Sequence, residues 1–324
     1  MIPRIYGNDS SLRLIQTMVQ GDRIPHACLI HGEKGLGKKT LARYFAMAAL
    51  CTGENAPCGV CPSCYKAAHG VHPDMMYVEH SGKRQGFSVD TVRGVCRDAI
   101  VAPNDGARKI YIFADCDNMD IRAQNTLLKL TEEPPAHVLL LFTATHRNVF
   151  LETMLSRMMP LAVCPCTAED CRNALLDAGC SSEDAQRAIA ACGGNIGRCL
   201  EWLQSESMQE MTRHIGELTA AIAGRRAYDV LRILAVYEKD RQTAVEFVKL
   251  LDLQLRDALI LKYTQDHLTG CDKQSALTLS QILTANRSVQ MHRSIQETYD
   301  ALQANVSPRL ALAALGGQLC QAGL

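Results

Sequence analysis

The sequence has no excess of charge: 34 Lys and Arg stand against 34 Asp and Glu. Binding polyanions by counterion release needs many cations on one face, so a histone-like or tail-driven nucleic-acid binder is excluded. Any nucleic-acid contact must be local or shared with partners. No apolar run reaches about 18 residues, which excludes a transmembrane helix and a membrane partner. The opening residues, MIPRIYGNDSSLRL, have no apolar h-region, so no signal peptide is expected. Internal repeats and low-complexity segments are absent too. Cysteine, by contrast, is plentiful, but the 15 residues are odd in number and mostly scattered. Without an export signal they read as reduced thiols plus one metal site, and the expected compartment is cytoplasmic. A chain of 324 residues, 47% hydrophobic and 21% charged, is an ordinary globular protein of two or three domains.

The first half alternates β-rich runs with helical stretches. Strands are expected at 27–31, 75–80, 109–114, 138–143 and 161–164, and helices at 10–20, 38–49, 89–99 and 122–133. The runs IYIF and VLLLF are continuously apolar, as a parallel strand covered on both faces requires. Such alternation implies right-handed crossovers and a doubly wound sheet. After Pro165 the character changes. Residues 167–204 read as three short helices, with Thr167 as an N-cap and Gly179 and Gly193-Gly194 as stops. From 208 onward the pattern is helical, with an apolar stripe through Phe247, Leu250, Leu251, Leu255, Ala258 and Leu259. A last helix at 308–321 is apolar nearly all round, so burial in a bundle or a subunit contact is expected. Trp202 reads as a packing residue.

Between the first strand and the helix at 38–49 stands Gly32-Glu33-Lys34-Gly35-Leu36-Gly37-Lys38-Lys39-Thr40. This is the P-loop arrangement. Its glycines let backbone N–H groups and a helix N-terminus face phosphate oxygens, and Lys38 neutralises the terminal phosphates. The position after that lysine should be Ser or Thr, whose hydroxyl holds Mg²⁺. Lys39 stands there instead, and its ammonium repels a cation. Thr40 lies roughly 100° further around the helix and is no simple substitute. The acidic motif, Ala114-Asp115-Cys116-Asp117, is also short of one acid. With Ala114 at the metal position the Asp is missing; with Asp115 there, Cys116 replaces the base. The candidate residues of this degenerate nucleotide site are Gly32, Gly35, Gly37, Lys38, Lys39, Thr40 and Asp115. Hydrolysis is not expected, binding of ATP with Mg²⁺ stays open, and a loop kept only for folding is the alternative.

Cys51, Cys58, Cys61 and Cys64 give C-x6-C-x2-C-x2-C, with Gly53, Pro57, Gly59 and Pro62 supplying turns. Four thiolates in so short a span can close a tetrahedral Zn²⁺ shell with no open position, a structural site. An iron–sulfur motif would continue with C-x3-C-P, whereas Tyr65 follows Cys64 and no cysteine is near. His69 or His72 could replace one ligand. Lys83-Arg84, with Arg93 and Arg97, could touch DNA phosphates, although a solvated face is the better reading.

Arg23-Ile24-Pro25-His26-Ala27, the P-loop, the four cysteines, Leu127-Leu128-Lys129-Leu130-Thr131-Glu132-Glu133-Pro134-Pro135 and Leu155-Ser156-Arg157 together resemble bacterial clamp-loader ATPases, the AAA+ subunits of DNA polymerase III. The resemblance runs through the whole chain in order. It implies an α/β AAA+ core with a P-loop and five-stranded parallel sheet at 1–165, carrying an inserted four-cysteine zinc module at 51–64. A three-helix lid would follow at 166–206 and an all-α collar for oligomerisation at 207–324. Motor subunits of the gamma/tau kind have intact Walker motifs and a sensor-2 arginine in the lid. Here Gly194-Asn195-Ile196-Gly197-Arg198 puts Gly197 in that slot, with Arg198 one place off. In this the chain is similar to the non-motor, delta-prime branch.

The family's Ser-Arg-Cys reads Ser156-Arg157-Met158 here. The resemblance implies that Arg157, beside Ser156, is an arginine finger acting in trans on a neighbour's ATP. It implies no independent activity but a place in the DNA polymerase III holoenzyme, a DNA-directed DNA polymerase and nucleotidyltransferase. The implied partners are gamma/tau and delta subunits, the sliding clamp and primer-template DNA, all in DNA replication. The alternatives are a working ATPase motor, or a zinc-stabilised scaffold whose P-loop and Arg157 have no chemical role.

Overall fold

The computed structural model describes residues 2–80, 86–264 and 272–322 and divides into two units, Met1–Cys164 and Pro165–Leu324. In the first unit the apolar runs become five strands: β1 (Ala27–His31), β2 (Met75–Tyr77), β3 (Lys109–Phe113), β4 (Val138–Ala144) and β5 (Met159–Ala162). All pair in parallel in the order β2-β3-β4-β1-β5, with Ala27 opposite Leu140 and Cys28 opposite Met159. Both faces are covered. Cys28, Ile30, Ile110, Ile112, Leu139 and Leu141 pack on the side of α1 (Asp9–Gln20), α2 (Lys38–Leu50) and α3 (Pro62–Ala68). Leu29, Tyr111, Phe113, Leu140 and Phe142 pack on the side of α4 (Val89–Asp98), α5 (Ile121–Glu132) and α6 (Glu152–Leu155). Burial on two sides is why β3 and β4 carry no polar alternation.

Three elements depart from expectation. β2 stops at Tyr77, and Glu79 and His80 are exposed beyond it. β5 begins at Met159 rather than 161, because it is an edge strand and tolerates Pro160 with no N–H to give. The cysteine segment is not all turns. Pro62 opens α3, whose N-cap is Cys61, with the sulfur accepting from Cys64 N.

The second unit is helical among the described residues. Thr167, Ser181 and Asn195 cap α7 (Ala168–Asp177), α8 (Ser182–Cys192) and α9 (Ile196–Gln204), each accepting a backbone N–H at the first turn. These helices share a small core of Cys171, Leu175, Ala185, Ala188, Cys199 and Trp202. Trp202 also donates its indole N–H to Thr212 Oγ1 at 3.1 Å. A separate core joins α10 (Glu206–Ala223), α11 (Ala227–Ala235), α12 (Arg241–Ile260), α13 (Lys273–Ile282), α14 (Ala285–Gln303) and α15 (Pro308–Ala322). The α12 stripe is buried as expected except at Leu259, which is half-buried. The last helix differs: it buries one face, through Ala311, Leu312, Leu315 and Leu319, and leaves Leu310 exposed. Among the described residues no helix is long and apolar enough to cross a membrane.

Candidate functional site

The loop after β1 folds as its glycines demand. Gly32, Gly35 and Gly37 all have positive φ, and a Cβ at Gly32 would stand 2.4 Å from Val163 O. Gly37 is the N-cap of α2, so the first free N–H groups of that helix open on the loop. Lys38 is 6% exposed, and its ammonium donates to Gly32 O at 2.7 Å and Glu33 O at 2.9 Å. Burial lowers its pKa, the nearby Asp117 and Asp115 carboxylates oppose this, and the Lys39 charge adds to it.

Lys39 settles what faces the loop from β3. Its Nζ lies 2.5 Å from Asp115 Oδ2, so an ammonium occupies the carboxylate where a P-loop enzyme would place a metal. Asp115 holds this pose in the left-handed region, φ 53°, with its N–H donating to the buried Thr143 Oγ1 at 2.8 Å. Thr145 binds Asp117 through both its backbone N–H, at 2.7 Å, and its hydroxyl. Cys116, between the two acids, is fully buried and donates to Phe113 O at 3.2 Å, so it activates no water. Thr40 is exposed on α2, one residue past the Lys39–Asp115 contact. The three glycines, Lys38, Lys39 and Asp115 thus converge at the end of the sheet where the strands finish, the usual ligand side of an open α/β sheet.

Ser156 and Arg157 lie at the opposite end. Arg157 stands two residues before Met159, which pairs with Cys28, whereas Gly32 lies beyond the far end of β1. From Cys28 to Gly32 is four residues, about 13 Å along the strand at about 3.3 Å per residue, and Arg157 lies in the turn before Met159, on the far side of that stretch. Arg157 cannot serve its own P-loop. Its Nη1 donates to Thr153 O at 2.7 Å and Ser156 Oγ at 3.1 Å, and its Nη2 lies 3.0 Å from Glu132 Oε1. The Arg157 and Glu132 side chains are 36% and 47% exposed, at the surface.

The four cysteines come together. Their sulfurs lie within 4.8 Å of one another, and a tetrahedral shell with Zn–S of about 2.3 Å needs spacings of about 3.8 Å. Gly53 N and Cys58 N donate to Cys51 Sγ, Cys61 N to Cys58 Sγ, and Cys64 N to Cys61 Sγ, at 3.3 to 3.4 Å. These bonds favour thiolate. Burial would raise the Cys61 pKa, but N–H groups of Thr52 and Cys64 bring it down to about 6, whereas burial raises Cys51 and Cys64. The donor set fits zinc, which would hold the segment between α2 and α3 closed. The four sulfurs group without a histidine; His69 Nδ1 meets Tyr65 O at 2.8 Å, and His72 Nδ1 accepts from Asp74 N at 3.1 Å.

Arg198 is buried at 7% exposure. Arg93 pairs with Asp90 on an exposed helix face, Arg97 is exposed, and Lys83-Arg84 lie outside the described residues. The sequence reading missed Thr143, Thr145 and the role of Glu132 beside Arg157. The only local signals were two threonines ending an apolar strand and an acidic pair closing a helix.

The model of the family described as DNA polymerase III, delta subunit, matches residues 7–167. The delta′ subunit of DNA polymerase III from Pseudomonas aeruginosa is 34% identical over 142 residues, 43% of each chain. That of Bacillus subtilis is 25% identical over 218 residues, 67% of this chain and 65% of its own. These matches support a clamp-loader AAA+ family member. The tau subunit of DNA polymerase III from Salmonella typhimurium is 31% identical over 173 residues, 53% of this chain and 26% of tau. The chain spans less than two thirds of the length of each of these curated relatives. A Thermotoga maritima gamma subunit-related protein aligns over 97% of this chain and all of its own, with a TM-score of 0.45 and 15% identity. Beside these relatives, the chain departs from the P-loop pattern at Lys39 and has a surface arginine at the far end of its sheet.

Proposed function

We propose that this chain is a delta-prime-like, non-motor subunit of the DNA polymerase III clamp loader. It would work in the cytoplasm with gamma/tau and delta subunits to load the sliding clamp on primer-template DNA in replication. Its domains would be the core at 1–165 with the zinc module at 51–64, the lid at 166–206 and the collar at 207–324, the last holding the assembly together. Zn²⁺ would be structural, and neither ATP nor Mg²⁺ would turn over in this P-loop. Arg157 would reach a neighbouring subunit's ATP, where a planar cation with a fork of donors stabilises the charge that develops on the transferred phosphoryl group. Ser156 would orient it.

The observation that carries this reading is the position of Arg157, half-exposed and at least about 13 Å along the strands from its own P-loop. An arginine so placed is out of reach of a phosphate in its own P-loop. The Lys39–Asp115 contact supports the non-motor half of the reading, since a metal would have to displace an ammonium already paired at 2.5 Å. The test is ATP hydrolysis by the reconstituted loader in the presence of clamp and primed DNA. Arg157→Ala in this subunit should lower the rate by about 10³–10⁵ at the site it serves. A rate unchanged by Arg157→Ala would leave a scaffold.

A further inference from the structure

We infer that Glu132 is a positioning residue for Arg157: it orders the guanidinium so that a fixed subset of its N–H groups faces the neighbouring subunit's nucleotide. The inference rests on the arginine-finger reading above. Arg157 has five N–H donors. Two on Nη1 are directed at Thr153 O and Ser156 Oγ, and one on Nη2 at Glu132 Oε1. Among the described residues that leaves two, one on Nε and one on Nη2, enough for two oxygens of one phosphate.

Glu132 is placed against local preference. It is the last residue of α5, Glu133 is the C-cap, and Pro134 and Pro135 stop the helix there. Carboxylates at a helix C-terminus face the negative end of its dipole, where a cation is favoured. A residue that breaks a local rule is expected where function requires it. Here the compensation is Arg157, brought to the same spot from the turn that follows α6.

The two helices are tied so that this meeting is not left to long side chains alone. Leu127, Leu130 and Met154 are buried in one core, and Thr131 Oγ1 lies 3.8 Å from the Met154 sulfur. Ser156 donates to Thr153 O at 3.0 Å, which holds its oxygen where Nη1 finds it. The pair itself is half-exposed, so it is weak enough to reorganise when a phosphate with a larger negative charge arrives. It limits the rotamers of the free subunit and thereby lowers the ordering cost at the moment of hydrolysis.

The experiment compares reconstituted loaders carrying wild-type chain, Glu132→Ala, Glu132→Gln, Arg157→Ala, the double variant Glu132→Ala/Arg157→Ala and Glu133→Ala. Both Glu132 variants should lower kcat about three- to tenfold with KM for ATP and the melting temperature unchanged. Glu133→Ala should match wild type, because the carboxylate that Arg157 pairs with is that of Glu132. The double variant should be no slower than Arg157→Ala, since Glu132 acts only through Arg157. Glu132→Ala at wild-type rate, beside a collapsed Arg157→Ala, would overturn the inference and leave the finger intact. A faster Glu132→Ala would overturn it too, by making Glu132 a restraint. Arg157→Ala at wild-type rate would remove the finger reading itself.

Discussion

Arg157 Nη2 and Glu132 Oε1 meet at 3.0 Å where the strands of the sheet begin, while Lys39 Nζ and Asp115 Oδ2 meet at 2.5 Å where they end. The two ion pairs divide the AAA+ core into an end that faces outward with a presented cation and an end closed upon itself. Each has a consequence that a single substitution exposes.

At the first end, charge alone does not account for what Arg157 offers. Arg157→Lys keeps the positive charge but has one nitrogen, so it cannot hold Thr153 O, Ser156 Oγ and Glu132 while still facing a phosphate. The reconstituted loader carrying Arg157→Lys should lose at least about tenfold in ATP hydrolysis, with assembly by gel filtration unchanged. A lysine variant at full rate would show that the fork is not needed.

At the second end, removing the ammonium does not rebuild a motor. Lys39→Thr restores a hydroxyl after Lys38 and frees Asp115, but the position after Asp115 is still the buried Cys116. The isolated Lys39→Thr chain should therefore show no ATP turnover above that of the isolated wild type, in a coupled assay with Mg²⁺. Turnover that appears in this variant and vanishes with Lys38→Ala would contradict the account of Cys116. Because the Lys39–Asp115 pair is about half exposed, its loss should cost only about 0.2–1 kcal/mol of stability.

Zinc analysis of the purified chain should give about one ion per molecule, released by a chelator at elevated temperature. Cys61→Ser should abolish stoichiometric binding and lower the melting temperature through loss of the metal, since serine still caps α3 while supplying no thiolate. A Cys61→Ser chain that binds zinc and melts like wild type would mean that Cys61 is not a ligand.

The stability of the core should fall in acid, and Asp74 gives the sign. It is 1% exposed and accepts from Asn104 N at 2.6 Å, Asn104 Nδ2 at 3.0 Å, Asp105 N at 2.7 Å and Gly106 N at 2.8 Å. Burial alone would raise its pKa, but these N–H groups outweigh burial and hold it below the ordinary 3.8. A carboxyl depressed in the folded state stabilises the fold above the unfolded value and loses that contribution as pH falls through the folded one. Denaturant unfolding should therefore show stability flat above about pH 5 and declining below about pH 4, with a smaller decline in Asp74→Asn. Asp74→Ala should cost about 3 kcal/mol at neutral pH, from buried N–H groups left without an acceptor.

What the sequence made legible was local. β1, the P-loop, α2 and the four cysteines each occupy one stretch of chain whose residue types announce their geometry. The boundaries shifted where an edge strand relaxed the usual rule, as at Pro160 in β5. What stayed hidden were pairings across the sheet: Lys39 with Asp115, Thr145 with Asp117, and Glu132 with Arg157. Each joins residues far apart in the chain and leaves no periodicity or spacing to read. The sequence showed Lys39 as a defect at a metal position. Only the fold shows that the defect has a partner.

That partner changes what sets the state of the loop. A divalent ion and a nucleotide come and go with their concentrations, so a site that depends on them reports the supply of both. An ammonium fixed to the backbone at Lys39 can be neither chelated nor diluted. The mouth of this P-loop is therefore set by translation rather than by solutes.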